Sequence, residues 1–310
     1  MTFVRTPGRR AHLFALLALA GLAAMPAKAQ DWKQKFKSIS FSSVSAENQA
    51  ATQARYKDVA RVFQERTGVE MRIFTATDYA GTVQALTSGQ IQMAQLGASG
   101  YASAWIDSNG AVEPLVTNKE LDGALGYHSI LIVKSDSPYK KLEDLKGKTL
   151  AWADPNSTSG YLIPLVSLRG AGIEPEKFFG RTLFSGGHEQ SVLGVINGQL
   201  DSAFTWSSKG HNAGQIRAMV DRGVLKMDQF RVVWESPLIP NPLVVVRKDM
   251  PEDMKRELRA FWIELHKIDP KVAEAAARGK TAGFVPATHE MYKPVLDAAL
   301  EVRKSRKQQN

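Results

Sequence analysis

Residues 149–172 read TLAWADPNSTSGYLIPLVSLRGAG. Thr149–Ala153 is a short, mostly apolar run of the kind that forms a strand. Asp154-Pro155-Asn156 turns the chain. A helix is expected from about Thr158 to Arg169, with Gly170 and Gly172 ending it. The same alternation extends in both directions. Ser38–Ser43 reads as a strand, Glu47–Thr67 as a helix stopped by Gly68, and Val69–Ala76 as a strand. Asp78 can cap a helix running to Ser88, and Ile91–Leu96 is the next strand, before a short helix at Gly100–Ser108. Downstream, Arg181–Phe184, His188–Asn197 and Asp201–Trp206 read as strand, helix and strand. A helix follows at His211–Arg222, then a strand at Phe230–Glu235. From Pro251 the chain reads as helical to its basic tail. Alternating strands and helices predict an α/β fold with mostly parallel sheets.

The chain has 310 residues, 44% apolar and 23% charged, which excludes wholesale disorder, collagen and coiled coil. At roughly 150 residues per domain, two domains are expected. Ser129–Val133 and Leu243–Val246 are wholly apolar strands, each followed by a basic-x-Asp pattern (Lys134–Asp136, Arg247–Asp249). They are expected as two hinge strands crossed by the chain. One lobe then comprises residues 31–128 plus 247–310 and the other 129–246; two consecutive domains are the alternative.

Residues 1–29 read as a secretory signal peptide: Arg5, Arg9 and Arg10, an apolar run from Ala11 to Met25, and Ala27-Lys28-Ala29 before the cut. The apolar run is shorter than the ~20 residues of a membrane span, and no later segment is long and apolar enough. Removing four basic residues takes the formal charge from +9 to about +5, which does not argue for nucleic acid. With no cysteine there is no disulfide, thiolate metal site, cysteine nucleophile or lipid anchor. A soluble periplasmic protein is expected.

Chemistry concentrates in Asp154-Pro155-Asn156-Ser157-Thr158-Ser159-Gly160. The first N–H groups of a helix lack internal partners and carry partial positive charge. Ser157, Thr158 and Ser159 add hydroxyl donors, and Gly160 lets a ligand approach the backbone. These are the makings of a tetrahedral-oxyanion site that needs no metal. An ordinary N-cap also fits, but one hydroxyl satisfies it. His188, in Gly186-Gly187-His188-Glu189, opens another helix. It fits an anion donor, paired with the anion when charged, as well as a structural histidine. Tyr79, Tyr127 and Tyr101 sit where phenols could donate to an anion, although core packing is the plainer reading of a single tyrosine. The P-loop pattern is absent. Gly97–Tyr101 fails G-x-S-x-G at its last glycine, and S-x-x-K at Ser137–Lys140 lacks its companion motifs. The mature histidines form no metal-ligand spacing, so neither enzyme, metal nor cofactor is expected.

Tyr79 in DYAG, Gly126-Tyr127, SILIV at 129–133, DPNSTSG at 154–160, GHE at 187–189 and SPLIP at 236–240 occur in this order. Together they resemble the PhnD-like family: periplasmic substrate-binding proteins of phosphonate, phosphate and phosphite ABC transporters. The resemblance covers nearly all of the chain beyond residue 29. It implies a type 2 periplasmic binding protein fold, two α/β lobes closing on a small anionic phosphorus ligand, with ABC permease subunits as the membrane partner. It also implies that Ser157, Thr158 and Ser159 hold the phosphonyl oxygens, with His188, Tyr127 and Tyr79 completing the contacts. Relatives that take aminoalkyl phosphonates meet the ammonium with two carboxylates. Ser208 and Asn241 stand at those places here, both neutral, so 2-aminoethylphosphonate is not the expected ligand. A sulfonate or other organic anion at the same helix end, or a secreted phosphoryl-processing enzyme, are the alternatives.

Overall fold

The computed structural model describes residues 1–3, 32–44 and 49–309. The expected signal segment, beyond its first three residues, and Glu47 lie outside them. In chain order the elements are α1 (Trp32–Lys35), β1 (Ser38–Ser43), α2 (Gln49–Thr67), β2 (Glu70–Phe74), α3 (Tyr79–Thr87), β3 (Met93–Leu96), α4 (Ala98–Asp107), β4 (Val112–Asn118) and β5 (Gly126–Lys134). Then come β6 (Thr149–Trp152), a π-helical turn (Thr158–Leu162) leading into α5 (Ile163–Gly170), α6 (Pro175–Phe178), β7 (Arg181–Phe184), α7 (His188–Ile196) and β8 (Ser202–Ser207). The chain ends with α8 (Gln215–Asp221), β9 (Phe230–Glu235), β10 (Ile239–Pro240), β11 (Leu243–Arg247), α9 (Glu252–Ile268), α10 (Pro270–Ala277), β12 (Phe284–Pro286) and α11 (Lys293–Gln309).

The strands form two sheets, one per lobe. The first has the order β12-β4-β11-β3-β1-β2. The second has β10-β5-β8-β6-β7, with β9 also on β5. Parallel pairing joins β1 to β2 and β3, and β6 to β7 and β8. All other pairs are antiparallel, among them β11 with β3 and β4, and β5 with β8 and β9. The sheets are therefore mixed rather than mostly parallel. The reason is that β5 and β11 enter their sheets straight from the other sheet, without the crossover helix that a parallel strand requires.

Ser129–Val133 and Leu243–Val246 lie inside β5 and β11, each flanked on both sides by strands of a single sheet. The passages between sheets are the adjacent short segments, residues 119–125 and 241–242. The apolar character of both strands has a packing cause: each sheet is covered on both faces. Leu131 and Val133 join one core while Ile130 and Ile132 join another; Leu243 and Val245 likewise alternate with Val244 and Val246. In the first lobe, Phe41 and Trp262 pack with ring centroids 5.8 Å apart, and Trp262 Nε1 donates to Met93 Sδ at 3.4 Å. That contact seats α9 on the sheet.

Candidate functional site

Ligand crevices in α/β sheets lie beyond the carboxyl ends of the strands, where helices begin. Both sheets here direct those ends at one cavity. The first lobe contributes Ser43 and Val44 at the end of β1, Tyr79 at the start of α3, Gln95, Leu96 and Gly97 at the end of β3, and Asn118 closing β4. The second contributes Ser157 and Thr158 after β6, His188 opening α7 and Trp206 on β8. Tyr127 comes from the amino end of β5, which runs the opposite way. Pro242, Ala276, Ala277 and Arg278 complete the lining. The cavity offers about 50 Å³ to the centres of water-sized molecules, a few times the ~10–15 Å³ that one water needs.

Four helix starts meet there, which concentrates unpaired N–H groups and positive dipole ends. Asp78 caps α3 by accepting from Gly81 N at 2.7 Å, and Ser157 caps the π turn by accepting from Gly160 N at 3.0 Å. Neither Gly97 before α4 nor Gly187 before α7 provides a side-chain cap. The π turn has a local cause. Pro164 has no N–H to donate to Gly160 O, and that carbonyl accepts from Ala153 N instead, at 3.0 Å. Leu162 N then reaches Ser157 O at 3.0 Å, and Ile163 N reaches Thr158 O. The turn widens and brings Ser157 and Thr158 to the cavity.

The hydroxyl series is knit to its neighbours. Ser157 Oγ lies 3.1 Å from His188 Nε2, Thr158 Oγ1 accepts from Ser99 N at 2.8 Å, and Ser159 O accepts from Ser129 Oγ at 2.6 Å. Burial pushes the Tyr127 phenol up to about 12, with hydrogen bonds to Ser159 and Thr158 pulling the other way. Burial raises Tyr79 further, opposed by the charge of Arg278 and a hydrogen bond with Ser157. Both phenols are therefore protonated donors beside the hydroxyls. His188 is lowered to about 3, by burial first and by the Arg278 charge second. Of the two donor forms the sequence left open, this favours the neutral ring over the imidazolium. Its Nδ1 is buried without a partner among the described residues.

Five of the expected site residues line the cavity: Tyr79, Tyr127, Ser157, Thr158 and His188. Ser159 stands just behind, next to Tyr127. The other three are held elsewhere. Tyr101 points its hydroxyl at His289 Nδ1, 2.6 Å away, and packs edge-on against Tyr292. Ser208 Oγ accepts from Ala213 N at 2.8 Å and shapes the loop after β8. Asn241 Nδ2 donates to Asn118 O and Glu120 Oε1, both at 3.0 Å, and so ties the two inter-sheet passages together.

Sequence reasoning missed Gln95, Ser43, Asn118 and above all Arg278. Arg278 is 7% exposed and is the charged residue among those lining the cavity. It was hidden because the chain from Pro251 reads as continuous helix. In fact the helix breaks at Asp269-Pro270 and again at Arg278-Gly279. Those dipeptides were the signal that could have revealed it.

Fold and site together define a two-lobed binding protein with a donor-rich cavity where the lobes meet, of the type 2 periplasmic binding architecture. Residues 41–292 match the family described as "ABC transporter, phosphonate, periplasmic substrate-binding protein". The phosphonates-binding periplasmic protein of Escherichia coli K12 is 31% identical over 252 residues, covering 80% of this chain and 71% of that protein. A crystal structure of a binding-protein component of an ABC phosphonate transporter from Pseudomonas aeruginosa superposes with TM-score 0.74 at 28% identity, covering 88% of each chain. PhnD1 of Prochlorococcus marinus, in complex with methylphosphonate, has the same fold, with TM-score 0.72, 19% identity and coverage of 86% and 99%. The chain belongs to the family of periplasmic substrate-binding proteins of phosphonate ABC transporters, which bind solutes and are not enzymes.

Proposed function

We propose that this protein captures a small phosphorus oxyanion (a phosphonate, phosphite or phosphate) between its lobes and delivers it to an ABC permease after export by the N-terminal signal. The observation that carries this reading is the meeting of four helix starts with the Ser157–Ser159 hydroxyls, two protonated phenols and a neutral imidazole whose Nδ1 has no partner among the described residues. Such a site supplies many donors to several oxygens of one tetrahedral group. Ser157, Thr158, Ser159, Tyr79, Tyr127 and His188 make those contacts. The cavity's size suits a compact ligand of a few heavy atoms. The lobes divide at 119–125 and 241–242, and those passages act as the hinge. Among the described lining residues there is no carboxylate to meet an ammonium, so 2-aminoethylphosphonate is not the preferred ligand.

Mass spectrometry of the co-purifying ligand identifies the candidate, and calorimetric titration with methylphosphonate, phosphite, phosphate and methanesulfonate ranks the class. Binding of at least one phosphorus oxyanion, more tightly than methanesulfonate, is expected. No heat with any of the three phosphorus compounds, or tighter binding of the sulfonate, refutes the reading.

A further inference from the structure

Arg278 follows α10 in the left-handed region, with φ 59° and ψ 42°. Its N–H donates to Ala275 O at 3.1 Å and that of Gly279 to Glu274 O at 2.9 Å, which closes a Schellman motif. The left-handed position of that motif is where glycine is favoured, because a Cβ costs energy there. A glycine is available one residue later, yet an arginine occupies the strained position. A side chain kept at such cost is a pointer to function.

The guanidinium is also under-used. Arginine has five N–H donors. Arg278 is 7% exposed, and the hydrogen bond of its side chain among the described residues is Nη2 to Val44 O, at 3.3 Å. No carboxylate among the described residues lies within 4.0 Å of it, whereas Arg222, nearby in the second lobe, pairs with Glu189 at 2.8 Å. A buried cation without a counter-ion is costly unless an anion joins it. Arg278 lines the ligand cavity, and its charge depresses His188 and opposes the rise of Tyr79, both of which face that cavity. Its carbonyl accepts from Gly214 N of the second lobe at 3.1 Å, which fixes it where the lobes meet.

We infer that Arg278 is the specificity-determining residue of the site: its guanidinium donates to an anionic ligand oxygen and its charge repels any ligand carrying an ammonium. This rests on the reading of the cavity as a phosphorus-oxyanion site, and it narrows the substrate class to oxyanions without a cationic substituent.

The test is calorimetric titration of wild type, Arg278→Gly and Arg278→Gln with methylphosphonate, phosphate and 2-aminoethylphosphonate. Wild type binds methylphosphonate at least about tenfold more tightly than 2-aminoethylphosphonate. Losing one charge-assisted contact costs Arg278→Gly about 10- to 100-fold for methylphosphonate and phosphate. The zwitterion loses far less, so the preference collapses. Arg278→Gly relieves the left-handed backbone, so unliganded thermal stability falls by no more than a few degrees. Arg278→Gln supplies a second, side-chain-bearing variant with the same expected collapse. Three results overturn the inference: variants that keep wild-type affinities, variants that weaken all three ligands equally, or a wild type that prefers the ammonium compound. The last needs no variant to fold. A wild type that binds none of the ligands instead refutes the reading of the cavity itself.

Discussion

At the scale of residues, His188 shows how environment overrides residue type. An unfolded histidine titrates near ~6.5, while folded His188 is lowered to about 3 by burial and then by Arg278. Between those values the unfolded chain takes up a proton that the folded chain refuses. The stability this neutral ring confers is complete above about 6.5 and is lost as pH falls toward 3, with a slope approaching about 1.4 kcal/mol per pH unit. Burial raises Asp154 and Glu120, which works in the opposite sense: their contribution is present in acid and is lost as pH rises through their elevated values. Comparison with His188→Gln isolates the histidine. The variant is less stable than wild type at pH 7, and denaturant unfolding shows the gap narrowing by more than about 1 kcal/mol between pH 6 and pH 4.5. Parallel curves contradict the assignment. The hydroxyls at 157–159 and the position of His188 were legible in the sequence because capping is local: Ser157 reaches Gly160, three residues on. The protonation state of His188 was not, since it depends on packing. Nor was Arg278, whose side chain meets Val44 across 234 positions of chain.

At the scale of elements, the helix opening at residue 158 depends on Gly160 as much as on the hydroxyls. A Cβ there would lie 2.4 Å from Ala153 Cβ, 2.8 Å from Ser157 Oγ and 2.9 Å from His188 Cε1. The first contact is with a side-chain atom fixed to the β6 backbone, which cannot swing aside. Gly160→Ala is expected to destabilise by about 1–3 kcal/mol and to abolish binding by displacing Ser157 and His188 together. Urea unfolding and titration check both, and wild-type affinity in a stable Gly160→Ala protein contradicts the account. Periodicity located most elements: Phe230–Glu235 and Arg181–Phe184 fall at their expected bounds. It failed where tertiary context decides. The helix expected from His211 begins at Gln215, because residues 208–214 are held as a loop by Ser208 and by Ala213 bonding back to it. Strand direction in β5 and β11 was equally invisible, since an apolar run buried on both faces looks the same whichever way its neighbours point.

At the scale of the molecule, the described residues from Trp32 onward hold together as one compact unit, and polar contacts join the lobes along their seam. Ser99 N meets Thr158 Oγ1 at 2.8 Å, Ser103 Oγ meets Asn156 Oδ1 at 3.1 Å, Lys280 N meets Asn212 O at 3.1 Å, and Gly214 N meets Arg278 O at 3.1 Å. A ligand that touches both lobes binds selectively the state in which they close on it. Methylphosphonate should therefore lower the radius of gyration in solution scattering and change the fluorescence of Trp206, which lines the cavity edge-on to Tyr127. Gly97→Ala separates closure from lobe stability. Gly97 has an ordinary φ of −72°, and a Cβ there would stand 2.8 Å from Thr158 Oγ1, with nothing else closer than 3.8 Å. The methyl group presses on the bond between the lobes while leaving the interior of either lobe alone. Affinity should fall by about 2- to 10-fold, the worth of one hydrogen bond, with unliganded thermal stability nearly unchanged. The scattering change should then require correspondingly more ligand. If Gly97→Ala binds as tightly as wild type, closure does not depend on the meeting of Ser99 with Thr158, and the coupling between the two helix starts must be sought elsewhere along the seam.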